Sequence, residues 1–480
     1  MDCQREPASG VEAFSQLERF LQRAASQQLE LGAVECESER RGRELVRLLL
    51  QAHVDARGDG DVGQAIVVQR PEGPVRLGCK RCHTRPVLTL FGEVRITRMA
   101  YVAPRQRAVH PLDRQLRLPR RIYSYECQRR LLRAVVCSPF DEAIGFFAEM
   151  TGVTVPKRSA EQLVREAAVD FDGFYAQREA AEVKPAQGEI LVAAIDCKGI
   201  PMVKPERALR VVRRGKGQKA NKKRMATVAV HSQAPVVRTP QEVLDSLFDA
   251  GERRERQPRP RPGHKRVWAS LTADKDTFIA DVKAEMTRRD PDRQRTWVIV
   301  TDGERALQHR VADSFEDVTL VLDLLHALEK LWKAAHVLHR EGSPEAQAFV
   351  YQRAKRILEG DVDQVVKGLK LIVTKRRLNG NKAKTLLDAA AYYRRNRGRM
   401  RYDAYLANGW PIASGTVEGA CKNLIRDRFE RSGMRWTQET AEALLRLRAL
   451  HLSSDFDTYW EHHIERDQQR LYPAWQVVLK

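Results

Sequence analysis

Three aspartates stand directly after three strongly apolar stretches of the sequence. The stretches are 190–195, 297–301 and 318–322, and Asp196, Asp302 and Asp323 follow them. Each stretch is typical of a buried strand in an α/β sheet. Since the carboxyl ends of parallel strands meet at one edge, where such sheets place their sites, we expect the three carboxylates to converge. Taken singly, each Asp has a simpler explanation as a helix cap or turn residue, as in Asp302-Gly303.

Clustered carboxylates repel one another unless a cation or a proton offsets their charge. This chain has a formal net charge of +21, so its composition does not explain an acidic cluster. Hard oxygen ligands favour Mg²⁺ or Mn²⁺, and a pair of such ions supports phosphoryl transfer. The three aspartates therefore predict a divalent-metal site, with two ions expected.

A fourth acidic residue, Glu418, lies much further along the chain. The segment after Gly415 is predicted to begin a helix, with Lys422 one turn beyond Glu418 on the same face. A carboxylate and a phosphate-seeking cation would then share one surface. Taken alone, the pair is better explained as a solvated i,i+4 ion pair.

The length and charge of the chain restrict its class. Its 480 residues suggest two to four domains, and the excess of basic residues favours a polyanionic partner, above all nucleic acid. No segment approaches the roughly 18 apolar residues that cross a bilayer. The first residues, MDCQREPASG, lack the pattern of a secretory signal, so we expect a cytoplasmic location and reduced thiols.

The elements that would position these residues follow from periodicity. Helices are predicted in 11–56, a small antiparallel sheet in 65–101, strands around each aspartate stretch, and helices throughout 324–406. A helix over 140–150, a break at Thr151-Gly152-Val153 and a second helix from Pro156 to about Phe174 have the pattern of a helix-turn-helix. An ordinary helical hairpin with a solvated basic face explains this pattern equally well.

Several basic groups flank the carboxylates or the predicted second helix. The segment between Lys204 and Arg224 has ten Lys or Arg and one acid, and it is predicted to form a hairpin tip that follows a phosphate backbone. A further basic stripe near Glu418 includes Arg428. We therefore predict that DNA is contacted by Lys157, Arg158, Gln162, Arg165, Arg213, Arg214, Lys216, Lys219, Lys222, Lys223, Lys422 and Arg426.

Together these features resemble the ISKra-type bacterial insertion-sequence transposases, which carry an Asp-Asp-Glu triad on an RNase H-like fold. The matching segments are TLFGEVRITRMAY (89–101), IDCKGIPM (195–202), TDGERALQ (301–308), DLLHALEKLWKAAH (323–336) and NGWPIASGTVEGACKNLIRDRFERSGMRWT (408–437). The resemblance covers about residues 75–465. It implies that Asp196, Asp302 and Glu418 form the triad and hold the metal ions. It also matches Asp323 and His326 to an Asp-x-x-His motif, which moves Asp323 from metal ligand to a supporting or DNA-organising role.

The fold class that follows is α/β, with an RNase H-like core interrupted by an all-helical insertion. We predict an N-terminal helical region (1–64), a small β region (65–130), a helix-turn-helix (131–185), the first part of the core (186–323), the insertion (324–406), and the second part of the core with C-terminal helices (407–480).

A second metal, zinc, is suggested by Cys79 and Cys82 but poorly supported. Members of the family often carry a second cysteine pair after the FGEV motif, whereas this chain has YVAPRQRAVHPLD there. Two thiolates do not close a four-ligand zinc site unless His83, His110 or a distant residue completes it.

The function expected from the sequence is transposition: binding of terminal inverted repeats, then metal-dependent DNA strand cleavage and strand transfer. Because two element ends must be joined, the partners are double-stranded DNA and at least one further copy of the chain, in association with the bacterial nucleoid. Two alternatives remain open, a non-catalytic DNA-binding regulator derived from a transposase and a metal-dependent nuclease on the same fold.

Overall fold

A computed structural model describes residues 9–178, 188–203, 222–248, 262–415, 419, 422–472 and 474–477; the side chains of 222–226, 422 and 432 are not described. The chain forms two compact units. The first comprises Met1–Phe174 with Phe456–Lys480, and the second Tyr175–Asp455. Residues 456–480, which the sequence assigned with the end of the predicted core, thus belong to the unit of the N-terminal segments. No helix in the described part of the chain combines the length and apolarity needed to cross a membrane.

The first unit combines helices with two small antiparallel sheets. Its helices are α1 (Gly10–Gln22), α2 (Ala24–Gln27), α3 (Leu31–Asp55), α4 (Pro111–Gln115), α5 (Tyr125–Cys137), α6 (Phe140–Thr151), α7 (Lys157–Ala167) and α8 (Phe171–Gln177, which extends into the second unit). Its strands are β1 (Ile66–Arg70), β2 (Gly73–Leu77), β3 (Cys79–Thr89) and β4 (Gly92–Val102). β3 and β4 form a hairpin at the predicted Phe91-Gly92 turn, where Gly92 has a φ of 117°.

The predicted single helix from Pro156 to Phe174 is wrong in its extent. α7 ends at Ala167, and α8 begins only at Phe171. Between them, the buried carboxylate of Asp170 accepts a hydrogen bond of 2.6 Å from Arg470 and lies 2.7 Å from Nδ1 of His463. These contacts fix Asp170 between the two helices. α6 ends at Thr151, and Gly152 in the expected break has a left-handed φ of 68°.

The second unit is built on a five-stranded mixed sheet. Its strands are β5 (Ile190–Pro201), β6 (Lys222–Gln233), β7 (Gly263–Ser270), β8 (Thr296–Thr301) and β9 (Thr319–Leu322), in the spatial order β7-β6-β5-β8-β9. β5, β6 and β7 pair antiparallel, whereas β8 and β9 run parallel to β5. Residues 190–195 and 297–300 are fully buried, as their apolar sequences predict.

Helices connect and follow these strands. They are α9 (Pro240–Phe248), α10 (Lys275–Arg289), α11 (Arg305–Ser314), α12 (Leu324–Leu338), α13 (Pro344–Leu358), α14 (Val362–Lys375), α15 (Gly380–Asn396), α16 (Tyr402–Ala407), α17 (Asp427–Phe429) and α18 (Gln438–Leu452). Short 3₁₀ turns occupy Arg397–Arg399 and Arg431–Gly433, and a π-helical turn spans Lys422–Arg426. α12 to α16 agree with the helices predicted for 324–406. In the first unit, α19 (Phe456–Leu471) precedes β10 (Trp475–Val477), which pairs with β1.

Two predictions about the strands need correction. β5 does not end at Asp196 but continues to Pro201, because residues 196–201 pair with β6. Lys222 and Lys223, expected at a hairpin tip, belong to the backbone of β6 opposite Pro201 and Ile200. The predicted strand at 209–212 and the basic residues Arg213, Arg214, Lys216 and Lys219 lie outside the described residues.

Candidate active site

Asp196, Asp302 and Asp323 lie at one edge of the five-stranded sheet. In the parallel register, Ile195 is opposite Thr301, and Thr301 is opposite Leu322. Asp196, Asp302 and Asp323 directly follow these three paired residues in the sequence. Since neighbouring strands lie about 4.8 Å apart, the parallel pairing brings the three positions side by side. The same edge was expected from the sequence, although β5 continues beyond it.

Asp196 and Asp302 are close enough to influence each other electrostatically. The Asp196 side chain is buried, and its Oδ1 accepts a 2.7 Å hydrogen bond from the backbone N–H of Cys197. Asp302 is partly buried. Burial raises its pKa and the charge of Asp196 raises it further, while a hydrogen bond from the backbone N–H of Glu304 opposes both effects. A positive charge beside the two carboxylates would stabilise the ionised form of Asp302.

Lys198 supplies one such charge. Its Nζ lies 3.6 Å from Oδ2 of Asp196, and half of the Lys198 side chain is exposed to solvent. Lys275, the first residue of α10, forms a 2.9 Å ion pair with Glu304, which lies between β8 and α11. Nothing in the sequence indicated a role for Lys198, which was only part of the matching segment IDCKGIPM. The sequence also did not predict the Lys275–Glu304 pair, because these residues are 29 positions apart.

Asp323 has both carboxylate oxygens occupied by backbone donors. It caps α12, where Oδ1 accepts from the N–H of His326 at 3.0 Å, and Oδ2 accepts from the N–H of Ser414 at 2.6 Å. Leu324 N–H also donates to the carbonyl of Ile412 at 2.9 Å. Asp323 is almost completely buried. It therefore positions the chain at 412–414 against the end of β9.

The His326 side chain faces the same acidic edge. Its Nδ1 lies 3.4 Å from Oδ1 of Asp323, which is close enough for charge attraction but outside good hydrogen-bond geometry. The interaction with Asp323 raises the pKa of His326, burial opposes it, and the charges of Asp196 and Asp302 raise it further. Burial raises the pKa of Asp323, but its interactions with His326 and Ser414 outweigh this effect and lower it.

The helices between β9 and Ala407 pack directly onto the loop after β8, where Tyr392 of α15 faces Gly303. A Cβ on Gly303 would lie 2.1 Å from the hydroxyl oxygen of Tyr392 and 2.5 Å from its ring, so a larger residue here would force Tyr392 or the loop to move. Hydroxyl groups of two nearby tyrosines hold the same segment: Tyr393 donates to the carbonyl of Ala327 at 2.7 Å, and Tyr402 to that of Leu322 at 2.8 Å. Asp302-Gly303 is thus a close-packed junction and not only a turn dipeptide.

The third expected carboxylate, Glu418, lies outside the described residues. Within the described ranges, no group of three or more His, Cys, Asp or Glu side chains is arranged to hold a metal ion. Asp196 and Asp302 nevertheless fit Mg²⁺ or Mn²⁺ as donors, because both are hard oxygen ligands in a partly desolvated setting. Zinc, which prefers nitrogen and sulfur ligands, fits this pair less well.

The predicted DNA-contacting residues of α7 are on or near the surface of the first unit. Lys157 forms a 2.7 Å ion pair with Asp141, Arg158 is exposed, and Gln162 and Arg165 are partly buried. In the second unit Arg426 is exposed, while the side chain of Lys422 is not described. The expectation that Arg428 belongs to a surface stripe is wrong, because it is fully buried and its guanidinium lies 5.2 Å from the ring centroid of Trp436.

The Cys79-x-x-Cys82 string is part of the regular strand β3. Cys79 pairs with Val102 and Cys82 with Met99 in an unbroken antiparallel register. Successive side chains of a strand alternate between faces, so residues three apart point to opposite faces. The two thiols are therefore not presented together to one ion. Nδ1 of His83 instead lies 3.4 Å from Nε2 of His110.

Comparison of the sequence with protein-family models and with curated proteins gave no match.

Proposed function

We propose that this chain is the DNA transposase of an insertion sequence, with Asp196, Asp302 and Glu418 as its catalytic triad. The observation that carries the proposal is the parallel register of β5 and β8, which sets Asp196 and Asp302 side by side. Two mutually repelling carboxylates at the carboxyl edge of an α/β sheet are typical of a catalytic site.

The topology supports an RNase H-like core. Three antiparallel strands, β7, β6 and β5, are followed across the sheet by two strands parallel to β5. The helices α12 to α16 lie between β9 and position 418 in the sequence, where the resemblance places a helical insertion. Ser414, four residues before Glu418, is bonded to Asp323 at the same sheet edge as Asp302. This contact anchors the chain immediately before the proposed third carboxylate.

In this proposal, Asp196, Asp302 and Glu418 hold two Mg²⁺ or Mn²⁺ ions. When bound, such ions polarise the scissile phosphate and lower the pKa of the attacking hydroxyl group. Asp196 is oriented for this role by the N–H of Cys197. The half-exposed ammonium group of Lys198 beside it is suited to contact a DNA phosphate. Asp323, with its oxygens already occupied, acts as a positioning residue.

The reaction consists of two in-line displacements at one site. Water first attacks a phosphodiester at the element end, and its oxygen replaces the 3′-oxygen, which leaves as a hydroxyl group. That 3′-hydroxyl then attacks a phosphodiester of target DNA, displacing another 3′-oxygen. We propose that α7 contacts the terminal repeats through Lys157, Arg158, Gln162 and Arg165 and that the active form contains at least two copies.

The decisive experiment uses the full chain and DNA that contains the repeats flanking its gene. One assay measures cleavage of an intact end, a second measures joining of a pre-cleaved 3′-hydroxyl end to a plasmid, and a third measures end binding. Asp196→Asn, Asp302→Asn and Glu418→Gln are each expected to abolish cleavage and joining while end binding remains. Asp276→Asn is the matched control, because its side chain is 74% exposed on the same unit.

The same assays distinguish the alternatives. Cleavage without joining would identify a nuclease, and end binding without either reaction in the unaltered chain would identify a regulator. Full cleavage by Asp302→Asn would remove Asp302 from the triad and overturn the proposed use of the sheet edge.

A further inference from the structure

We propose that the first unit contains a separate pocket that binds a phosphate group. The pocket is a cavity of about 620 Å³ formed by β1, β3, β4, the chain around α4, and the C-terminal part of the unit. Six arginines of the N-terminal part line it: Arg70, Arg85, Arg98, Arg107, Arg114 and Arg120. Every residue of this cavity belongs to the first unit, so the inference does not depend on the proposed active site.

The charge of the pocket is not cancelled by its acidic residue. Asp113 is the acidic residue among the lining side chains, and it is buried. Its Oδ2 accepts from both Arg85 and Arg98, which leaves this buried cluster with one net positive charge. Arg470 also lines the cavity but is paired with Asp170. The remaining lining guanidinium groups add to the positive charge, and such a field attracts anions.

Buried donors with no acceptor mark where a ligand would bind. Considering only the described residues, Nε of Arg70, Nε of Arg98 and Nε1 of Trp475 are all buried without a hydrogen-bond partner. Buried donors in folded proteins are normally paired, and an unpaired one is costly. All three belong to residues that line this cavity. One acceptor of the lining, Oδ1 of the buried Asp113, is also without a partner. The lining nevertheless offers mainly donors, and guanidinium groups match phosphate in geometry as well as charge.

Two of the guanidinium groups in the wall, those of Arg85 and Arg70, are held by hydrogen bonds to backbone carbonyls. Nη2 of Arg85 donates to the carbonyls of Arg120 and Arg121 at 3.2 and 2.9 Å, and Nη2 of Arg70 donates to the carbonyl of Arg107 at 3.3 Å. Fixing the donors before binding reduces the entropy lost on binding. This part of the site is therefore preorganised, while Arg107, Arg114 and Arg120 are exposed.

The pocket is larger than a lone phosphate ion requires. Tyr472, Trp475 and His110 contribute aromatic rings to its lining. Burial lowers the pKa of His110 to about 4, and the nearby charge of Arg98 acts in the same direction, so this imidazole is neutral at pH 7. An aromatic ring attached to the phosphate would find flat partners here. A nucleotide meets both requirements, either as a free molecule or as the phosphorylated end of a DNA strand.

Calorimetric titration of the full chain in a low-chloride buffer tests the proposal. The probes are inorganic phosphate, a nucleoside 5′-monophosphate, and a single-stranded oligonucleotide with and without a 5′-phosphate. Saturable binding is expected for phosphate and for at least one larger phosphorylated probe. Tighter binding of the monophosphate would identify a free nucleotide as the ligand. Tighter binding of the 5′-phosphorylated strand than of its unphosphorylated form would identify a DNA end.

Variants connect the binding to this cavity. Arg70→Gln is expected to weaken binding at least about tenfold, because a charge-assisted hydrogen bond is lost. Arg98→Lys keeps a positive charge beside Asp113 but removes the unpaired Nε donor, and it is expected to weaken binding similarly. Arg95→Gln is the matched control, since Arg95 is on the same strand, 75% exposed and outside the cavity. Circular-dichroism melting verifies that each variant is folded.

Two results would overturn the proposal. One is the absence of saturable binding for every phosphate-bearing probe, and the other is unchanged affinity in a folded Arg70→Gln variant. Full DNA cleavage by a triad variant would overturn the proposed function but would not change the phosphate titrations, so the two proposals can succeed or fail independently.

Discussion

Replacing Gly303 with alanine should destabilise the second unit through a single steric contact. The new methyl group would lie 2.1 Å from the hydroxyl oxygen of Tyr392 and 2.6 Å from the ring carbon that bears it. Tyr392 has little room to retreat, because only 7% of it is exposed and its ring also contacts Tyr393. The clash must be relieved by moving α15 or the loop after β8.

The expected cost is about 1 to 3 kcal/mol in the free energy of unfolding, the usual range for overpacking a core. The upper half of this range is expected, because aromatic ring atoms as well as the hydroxyl obstruct the methyl group. Tyr392→Phe should not restore stability, since the ring carbon remains. Tyr392→Ala removes the obstruction but leaves a cavity. The double variant should therefore be less destabilised than the sum of the two single variants.

Urea unfolding followed by tryptophan fluorescence measures this effect. Five of the seven tryptophans, at positions 268, 297, 332, 410 and 436, belong to the second unit and dominate the signal. Gly368→Ala in α14 is the control, because nothing lies within 4 Å of the added Cβ and alanine favours a helix, so stability should rise slightly. If Gly303→Ala were as stable as the unaltered chain, or if the two substitutions were additive, the packing argument would be refuted.

Three further predictions concern other parts of the molecule. Asp323→Asn leaves one acceptor oxygen for two backbone donors, so it should cost about 1 to 3 kcal/mol and speed hydrogen exchange at 412–414; unchanged exchange would contradict this. The pKa of buried Glu285 is lowered to about 2 because its neighbours Arg266, Arg289 and Arg288 outweigh burial. Since the pKa in the folded state lies below 4.5, ionised Glu285 stabilises the fold fully above pH 4.5, and this stabilisation decreases by about 3 kcal/mol as the pH falls toward 2. In urea unfolding, Glu285→Gln should lack this pH-dependent loss of stability. An equal pH dependence in Glu285→Gln and the unaltered chain would refute the prediction. Cys79→Ser and Cys82→Ser should leave the melting temperature and the zinc content unchanged, because the strand separates the thiols; loss of stoichiometric zinc in either variant would disprove this.

The sequence predicted the strands of the acidic edge because their signal is local. Residues 190–195 and 297–301 are continuous apolar runs, and such runs have few alternatives to a buried strand in an α/β unit. The continuation of β5 past Asp196 had no such signal. Residues 197–201, Cys-Lys-Gly-Ile-Pro, form no continuous apolar run and include a glycine and a proline, and they are in strand conformation because they pair with β6. Pairing between segments, and not the propensity of either one, determines where β5 ends.

The residues that support the aspartates were missed for a related reason. Ser414 contacts Asp323 across 91 positions, and Tyr402 contacts Leu322 across 80. Neither contact leaves a periodic trace in the sequence. Arg428 shows the opposite error: within a basic run it was assigned to the surface, yet it is buried against Trp436. A local sequence pattern predicts the secondary structure around a residue, whereas the residue that it contacts is determined by the folded chain.

The same distinction explains why the sequence spacing of the ligands did not decide which of the two candidate metal sites is supported, the cysteine pair or the aspartate pair. At Cys79 and Cys82, a spacing that suits zinc in a turn loses its meaning in a strand, because positions three apart face opposite sides. At Asp196 and Asp302 the spacing of 106 residues is uninformative, but the parallel register brings the two side by side. A proposed metal site is therefore supported by the secondary structure that carries its ligands, and the aspartate pair meets this condition whereas the cysteine pair does not.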